Sequence, residues 1–154
     1  MLYDNTYVNI DMDAILANFE AVQSKTKVPI MAIIKADAYG HGAVQVARLL
    51  EPKVAFFGVS GVGEALELRQ SGLEKPILIL GHTPTAAYPQ IVGLGIRPAI
   101  FCREDAELLS REAQRQHTTA KFHFAVDTGM SRLGFQCTRE DAAVCAEVAR
   151  LPGL

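Results

Sequence analysis

Residues 30–42, IMAIIKADAYGHG, form a short apolar run that ends in a lysine and continues into a glycine-containing turn. The run at residues 30–34 has the length and composition of a buried parallel strand. In both common architectures with parallel strands, the functional residues lie at the carboxyl ends of those strands. Lys35 therefore occupies a position where chemistry is expected. Gly40 and Gly42 allow the chain to turn tightly or to approach a ligand closely.

Four more apolar runs follow at a regular spacing, separated by stretches with helical periodicity. The predicted strands cover residues 30–34, 55–59, 77–80, 97–101 and 121–127. A strand that begins about every 20 to 25 residues is typical of a parallel sheet with right-handed crossovers. Five such units suffice for a doubly wound sheet, whereas a closed (β/α)8 barrel needs roughly 200 residues or more. The periodicity alone leaves both architectures open.

The predicted helices are recognised by apolar residues that recur at helical spacing. These stripes are Met12, Ile15, Leu16, Phe19 and Val22; Val44, Ala47 and Leu50; Val62, Ala65 and Leu66; Ala106, Leu109 and Ala113; and Val144, Cys145 and Val148. Asp11 is the predicted N-cap of the first helix, and Ser71-Gly72 is expected to end the third. Pro84 and Pro89 interrupt the helical pattern after the third strand. Residues 3–10 are expected to form a strand outside the barrel.

The composition is that of an ordinary globular protein, with 154 residues, 49% hydrophobic, 21% charged and a net charge of -2. This charge argues against a nucleic-acid partner, and no apolar run reaches the roughly 20 residues that span a bilayer. The N-terminus lacks the pattern of a secretion signal, and the odd number of cysteines predicts free thiols in the cytoplasm. No metal site is expected, because the histidines lack ligand spacing. The residues concerned are Cys102, Cys137, Cys145, His41, His82, His117 and His123.

Two segments resemble landmarks of the alanine racemase family. Residues 35–42, KADAYGHG, are similar to its cofactor-lysine signature, and residues 127–134, DTGMSRLG, are similar to its second landmark, D-T-G-M-x-R-L-G. Weaker similarity at residues 7–13 and 151–154 extends the match over the whole chain. The resemblance favours the (β/α)8 barrel over the doubly wound sheet. It also implies that pyridoxal 5'-phosphate (PLP) is the cofactor.

The resemblance assigns roles to individual residues. Lys35 would hold PLP covalently and serve as one of two catalytic bases, and Tyr39 would contact the cofactor phosphate. Arg132 would lie near the cofactor's phenolic oxygen and the substrate carboxylate, which a guanidinium can grip through two hydrogen bonds. Asp37 and His41 also match the signature and are interpreted as residues that shape the turn.

One position departs from the family pattern. Many members carry a carbamylated lysine two residues before the aspartate of the second landmark, and this lysine orients the arginine. Here that position is Ala125. Lys121 is not expected to replace it, because four residues of strand span about 13 Å. Water, a small anion or another side chain would then have to support Arg132.

A glycine pattern after the second strand suggests a different class of function. Gly58, Gly61 and Gly63 follow a strand and open a helix, as in a nucleotide-binding loop, but their order is not G-x-G-x-x-G. A tight βα turn is the preferred interpretation. Glu64 and Glu67 are interpreted as acids in the first turn of a helix, where the helix dipole favours them.

The resemblance implies a racemase that interconverts L- and D-alanine for the supply of cell-wall precursors, acting as a cytoplasmic homodimer. A serine racemase, a non-catalytic PLP-binding barrel protein and a scaffold without cofactor remain alternatives. Residues 1–154 would be the N-terminal part of the barrel domain, without its last strands and the C-terminal β domain. We expect such a chain to be inactive alone and to self-associate through bare sheet edges. The resemblance implies that the second base is a tyrosine from the C-terminal domain of the partner subunit, and Tyr88 and His82 are the conceivable alternatives within this chain.

Overall fold

Five parallel strands form one sheet in which each strand pairs with the next strand along the chain. The computed structural model describes residues 7–154. The strands are β1 (Met31–Ile33), β2 (Phe56–Val59), β3 (Ile77–Ile79), β4 (Arg97–Ile100) and β5 (His123–Phe124). The helices are α1 (Met12–Gln23), α2 (Lys35–Gly40), α3 (Ala43–Leu50), α4 (Val62–Gln70), α5 (Tyr88–Gly93), α6 (Arg103–Arg115) and α7 (Arg139–Val148).

The strand order decides between the two architectures that the sequence left open. A doubly wound sheet reverses its strand order at a switch point, whereas a barrel adds each strand beside the previous one. The observed order β1-β2-β3-β4-β5 has no reversal. The fold is therefore that of an α/β barrel, of which the described residues form five consecutive strands. Strands β1 and β5 are the edges of this sheet, as expected.

The core lies between the sheet and the helices. Outward-facing residues of three neighbouring strands are completely buried, with an exposed fraction of 0% for Phe57, Ile77 and Ile100. Leu68 of α4 and Leu109 of α6 pack against this layer with at most 1% exposed. These are apolar positions at strand and helix spacing, which is why the sequence pattern located most elements correctly.

The sequence predictions for two helix ends are confirmed. Asp11 caps α1, with a side-chain oxygen that accepts a hydrogen bond from the Ala14 amide at 2.9 Å. Helix α4 ends at Gln70, and Gly72 follows with a φ of +92°, a left-handed conformation that suits glycine.

The segment after β3 differs from the prediction. Pro84 precedes a 3-10 turn (Thr85–Ala87), and Pro89 lies in the first turn of the short helix α5. A proline at a helix start removes no intrahelical hydrogen bond, so Pro84 precedes the 3-10 turn and Pro89 begins α5 without interrupting either.

Two predicted strands also need correction. Only His123–Phe124 of residues 121–127 forms regular strand, followed by an isolated parallel bridge between Val126 and Phe135. The strand predicted for residues 3–10 lies partly outside the described residues, and residues 7–10 adopt no regular structure. Among the helices of residues 7–154, none is long and apolar enough to cross a membrane.

Candidate active site

The chain leaves β1 through a left-handed turn. Ala36, Asp37, Ala38 and Tyr39 have φ between 50° and 56°, and these four residues make up most of α2. Each L-residue in this conformation costs about 1–2 kcal/mol, because its Cβ approaches the following carbonyl. A run of four such residues persists only where surrounding interactions hold it.

Hydrogen bonds close the far end of the turn. The Asp37 carboxylate accepts from the Ala43 amide at 2.6 Å, and the Gly42 amide donates to the Asp37 carbonyl at 2.9 Å. His41 Nδ1 lies 2.8 Å from the Ala38 carbonyl oxygen. Asp37 thereby satisfies an amide at the start of α3. The turn-shaping roles expected for Asp37 and His41 are confirmed.

The turn brings Lys35 and Tyr39 together at the carboxyl end of β1. Lys35 Nζ lies 6.0 Å from the centroid of the Tyr39 ring. The Lys35 side chain is half-buried, and Tyr39 is 61% exposed. Within residues 7–154, the Lys35 ammonium has neither a hydrogen-bond acceptor nor an ion-pair partner. The amine therefore lies beside the tyrosine ring and is not engaged in a hydrogen bond or ion pair with the described residues.

An apolar floor lies one layer below Lys35 on the inner face of the sheet. Ile33, Gly58 and Leu80 share this face, and a Cβ at Gly58 would meet Ile33 Cδ1 at 2.6 Å and Leu80 Cδ1 at 3.4 Å. Ile33 is 40% exposed and Leu80 is 37% exposed. Gly58 thus serves the close approach of two side chains, and the nucleotide-loop interpretation of its glycine pattern gains no support.

Glu64 is the residue of this region whose importance the sequence interpretation missed. One of its carboxylate oxygens accepts from the Ala36 amide at 2.7 Å. The other accepts from the Ser60 amide at 2.6 Å, the Ser60 hydroxyl at 2.8 Å and the Gly61 amide at 3.2 Å. Burial by itself raises the pKa of this carboxyl, but the four hydrogen bonds outweigh it and hold the pKa below its usual value.

The only sequence signal for Glu64 was its place in the first turn of a helix, which explains its bonds to Ser60 and Gly61. The bond to Ala36 joins residues 28 apart in the chain. It depends on the pairing of β1 with β2, which local periodicity does not report.

Asp127 organises the loop after β5 that contains Arg132. One oxygen of its carboxylate accepts from the Gly129 and Ser131 amides, both at 2.9 Å, and Gln136 Nε2 lies 3.3 Å from the other. Hydrogen bonds from the Ser131 amide first, and then from Gly129, lower the pKa of Asp127. The aspartate of the second landmark therefore shapes a loop.

Arg132 is exposed on this loop and lines a recess with Phe101 and Asp127. Its guanidinium has no hydrogen-bond or ion-pair partner in the part of the chain that the structure describes. Arg132 thus shares the carboxyl end of the sheet with Lys35, but no contact joins the two. In an eight-stranded barrel with this strand order, β1 and β5 lie on opposite sides of the opening.

Ala125, at the position of the family lysine, has no side-chain group that could hydrogen-bond to Arg132. The Ala125 amide donates to the Ile100 carbonyl and its carbonyl accepts from the Phe135 amide, at 3.0 and 2.8 Å. Lys121 lies at the opposite end of the strands, beside a cavity of about 440 Å³ lined also by Arg69 and Glu74. The expectation that Lys121 does not replace the family lysine is confirmed.

The two candidates for a second base differ in position. Tyr88 is 2% exposed in the helix layer, where burial, with Asp105 and Cys102, raises the pKa of its phenol. Tyr88 is therefore a core residue and the interpretation as a base is wrong. His82 is exposed at the carboxyl end of β3, with its ring centroid 6.4 Å from that of Phe101.

The three cysteines are free, and the described residues contain no cluster of side chains suited to a metal ion.

Comparison with known proteins identifies relatives over nearly the whole chain. Residues 10–154 match the family model described as alanine racemase, N-terminal domain. Alanine racemase 1 of Clostridium acetobutylicum is 39% identical over 150 residues, which cover 96% of this chain and 39% of that protein. Alanine racemase 1 of Caldanaerobacter subterraneus is 43% identical over 133 residues, covering 84% of this chain and 34% of the relative.

Solved structures agree with the observed fold. An alanine racemase of Clostridium difficile 630 superposes with a TM-score of 0.95 at 35% identity, covering 99% of this chain and 41% of that one. A histidine racemase from Leuconostoc mesenteroides superposes with a TM-score of 0.84 at 29% identity, covering 93% and 39%. The chain thus spans about two fifths of the length of these relatives. On its sequence match and its fold, the chain belongs to the alanine racemase N-terminal domain family.

Proposed function

We propose that this chain provides the lysine side of the active site of a PLP-dependent amino-acid racemase that acts on alanine. In this proposal, Lys35 holds the cofactor and acts as a catalytic base, Tyr39 contacts the cofactor phosphate, and Arg132 binds the substrate carboxylate. The homodimer, the cytoplasmic location and the role in cell-wall precursor supply are parts of the same proposal, taken from the family resemblance.

The observation that carries the proposal is the unengaged Lys35 amine at the carboxyl end of β1. An amine with no hydrogen-bond or ion-pair partner among residues 7–154 can react with an aldehyde without breaking an existing interaction. Ile33 and Leu80 lie beneath it as an apolar surface on which a flat ring can rest, and the exposed Tyr39 ring lies at its side. These residues fit PLP.

The remaining steps belong to the side chains of the chain itself. When bound, PLP supplies an electron sink that stabilises negative charge at the substrate Cα. Lys35 Nζ would remove the Cα proton from one face of the amino acid or return it there. Arg132, on the opposite side of the opening, would orient the carboxylate. Racemisation also needs a group that donates and accepts a proton on the opposite face of the substrate Cα. Of the candidates Tyr88 and His82, only His82 lies at the carboxyl end of the strands, where Lys35 lies.

The similarity to a histidine racemase bears on the substrate. The same fold accommodates a different side chain in that protein, so the choice between alanine, serine and histidine is itself part of the proposal. The four named relatives are mostly alanine racemases, which favours alanine.

The test is to add PLP to the purified chain, reduce with borohydride and map the modified peptides by mass. We expect the pyridoxyl adduct to form much faster on Lys35 than on the exposed Lys27. Lys35→Arg should abolish the adduct at this position, and Lys27→Arg is the matched control that should leave it intact. Equal labelling of both lysines in the unmodified chain would refute the role of Lys35.

Activity distinguishes a racemase from a non-catalytic PLP-binding protein. Loss of deuterium from Cα-deuterated L-alanine, with appearance of D-alanine, is expected from the racemase and is absent in the second case. Serine and histidine labelled in the same way report the substrate preference. Because we expect residues 1–154 to be inactive alone, this assay uses the full-length protein, in which a PLP adduct at Lys35 without any deuterium loss would favour the non-catalytic protein.

A further inference from the structure

Glu64 joins the ends of two strands through one carboxylate. Oxygen Oε1 accepts from the Ala36 amide at 2.7 Å, and Oε2 accepts from three donors of Ser60 and Gly61. Ala36 directly follows Lys35, and Ser60 directly follows β2. The carboxylate therefore connects the neighbour of the lysine to the end of β2, the strand that pairs with β1.

The hydrogen bond from the Ala36 amide to Glu64 lies where the backbone φ changes from negative to positive. The Ile34 backbone has a φ of -124°, whereas Ala36 has a φ of +50°. A left-handed residue at this point is unfavourable for alanine, and the Ala36 methyl is exposed, so packing of this side chain does not compensate. Glu64 is the side chain that holds the Ala36 amide, just as Asp37 holds the far end of the turn.

We propose that Glu64 is a positioning residue for Lys35, because its bond to Ala36 fixes the start of the left-handed turn and thereby the direction of the lysine side chain. This inference rests on the proposed function, in which the Lys35 amine is the reacting group. The depressed pKa of Glu64 agrees with a carboxylate that stays ionised and accepts all four bonds at neutral pH.

The substitution Glu64→Gln separates this role from helix capping. An amide has one acceptor oxygen and one NH2 group, which cannot accept a hydrogen bond. With the oxygen in the place of Oε2, the three bonds from Ser60 and Gly61 remain, and the NH2 group faces the Ala36 amide. The opposite orientation loses the three bonds and is disfavoured. Glu64→Gln therefore removes mainly the bond to the turn.

The experiment measures the rate at which PLP and borohydride label each lysine, by mass mapping of the whole chain. We expect Glu64→Gln to slow the labelling of Lys35 by about 10- to 100-fold, the effect of displacing a reacting group by roughly 1 Å. Lys25 and Lys27 are exposed and serve as internal controls whose rates should not change. A merely structural role of Glu64 would instead alter the labelling of all lysines together.

Two further variants complete the design. Glu67→Gln changes an exposed acid of the same helix, and the labelling rate of Lys35 in this variant should equal that in the unmodified chain. Glu64→Asp is one methylene shorter and cannot reach Ala36 and Ser60 together, so it should slow Lys35 as well. It replaces Glu64→Gln if that variant does not fold. Hydrogen exchange at the Ala36 amide should accelerate in either variant.

The outcomes distinguish the two proposals. Preferential labelling of Lys35 that survives unchanged in a folded Glu64 variant overturns the role of Glu64 and leaves the proposed function intact. Equal labelling of Lys35 and Lys27 in the unmodified chain overturns both. Slower labelling of Lys35 alone, with faster exchange at Ala36, supports the positioning role.

Discussion

Replacing Ala36 by glycine should make this protein more stable, although glycine normally weakens a helix. Ala36 has φ +50° and ψ +52° in the left-handed turn. Its methyl group is exposed, so no buried contact is lost on substitution. Its amide bonds to Glu64 through the backbone, which glycine retains.

Two opposing terms determine the magnitude. Removing the Cβ relieves a left-handed strain of about 1–2 kcal/mol, whereas the greater freedom of glycine in the unfolded chain costs roughly 0.5–1 kcal/mol. The net expectation is an increase in the free energy of unfolding of about 0.5 to 1 kcal/mol. Ala17 is the matched control, because it is exposed in the middle of the right-handed helix α1. Ala17→Gly should lower the free energy of unfolding by about 1 kcal/mol.

Urea unfolding followed by circular dichroism measures both variants. With a slope near 2 kcal/mol/M, Ala36→Gly should raise the midpoint by about 0.3 to 0.5 M, and Ala17→Gly should lower it by a similar amount. A shift of the same sign in both variants would refute the reasoning, since it would mean that the hand of the backbone at Ala36 has no energetic consequence.

Three other predictions concern the core, the loop after β5 that contains Arg132, and the sheet edges. Leu109→Ala removes a side chain that is 0% exposed and should lower the free energy of unfolding, measured in denaturant, by about 2–5 kcal/mol. Leu108 is 37% exposed, and Leu108→Ala should lower it far less. Because hydrogen bonds lower the pKa of Asp127 from about 3.8, its contribution to loop order is present at neutral pH and is lost as the pH falls through that lowered pKa. The Gly129 and Ser131 amides should therefore lose hydrogen-exchange protection, relative to core amides, at acid pH or in the Asp127→Ala variant. Unchanged protection of these amides in Asp127→Ala would contradict the prediction. Because β1 and β5 are edges of the sheet, light scattering after gel filtration should show self-association, and a clean monomer would count against it.

Local pattern was sufficient for the parts of the fold whose cause is local. Asp11 was predicted as an N-cap and Ser71-Gly72 as a helix end, and both are observed. Errors occurred where one signal has two meanings. The sequence pattern predicts that proline after β3 interrupts a helix, but Pro89 begins one. Tyrosine can serve as a base, but the burial of Tyr88 makes it part of the core.

The segment KADAYGHG and the second landmark were enough to place Lys35 and Arg132 at strand ends and to identify the family. They could do so because strands, turns and signature residues are encoded by neighbours in the chain. The strand order, the left-handed path from Ala36 to Tyr39 and the bond from Ala36 to Glu64 were decided only by the tertiary structure. The physical reason is that a left-handed turn of alanine, aspartate and tyrosine contradicts their local preference. The bond from Ala36 to a carboxylate 28 residues away depends on the pairing of β1 with β2, which neighbours in the chain do not encode.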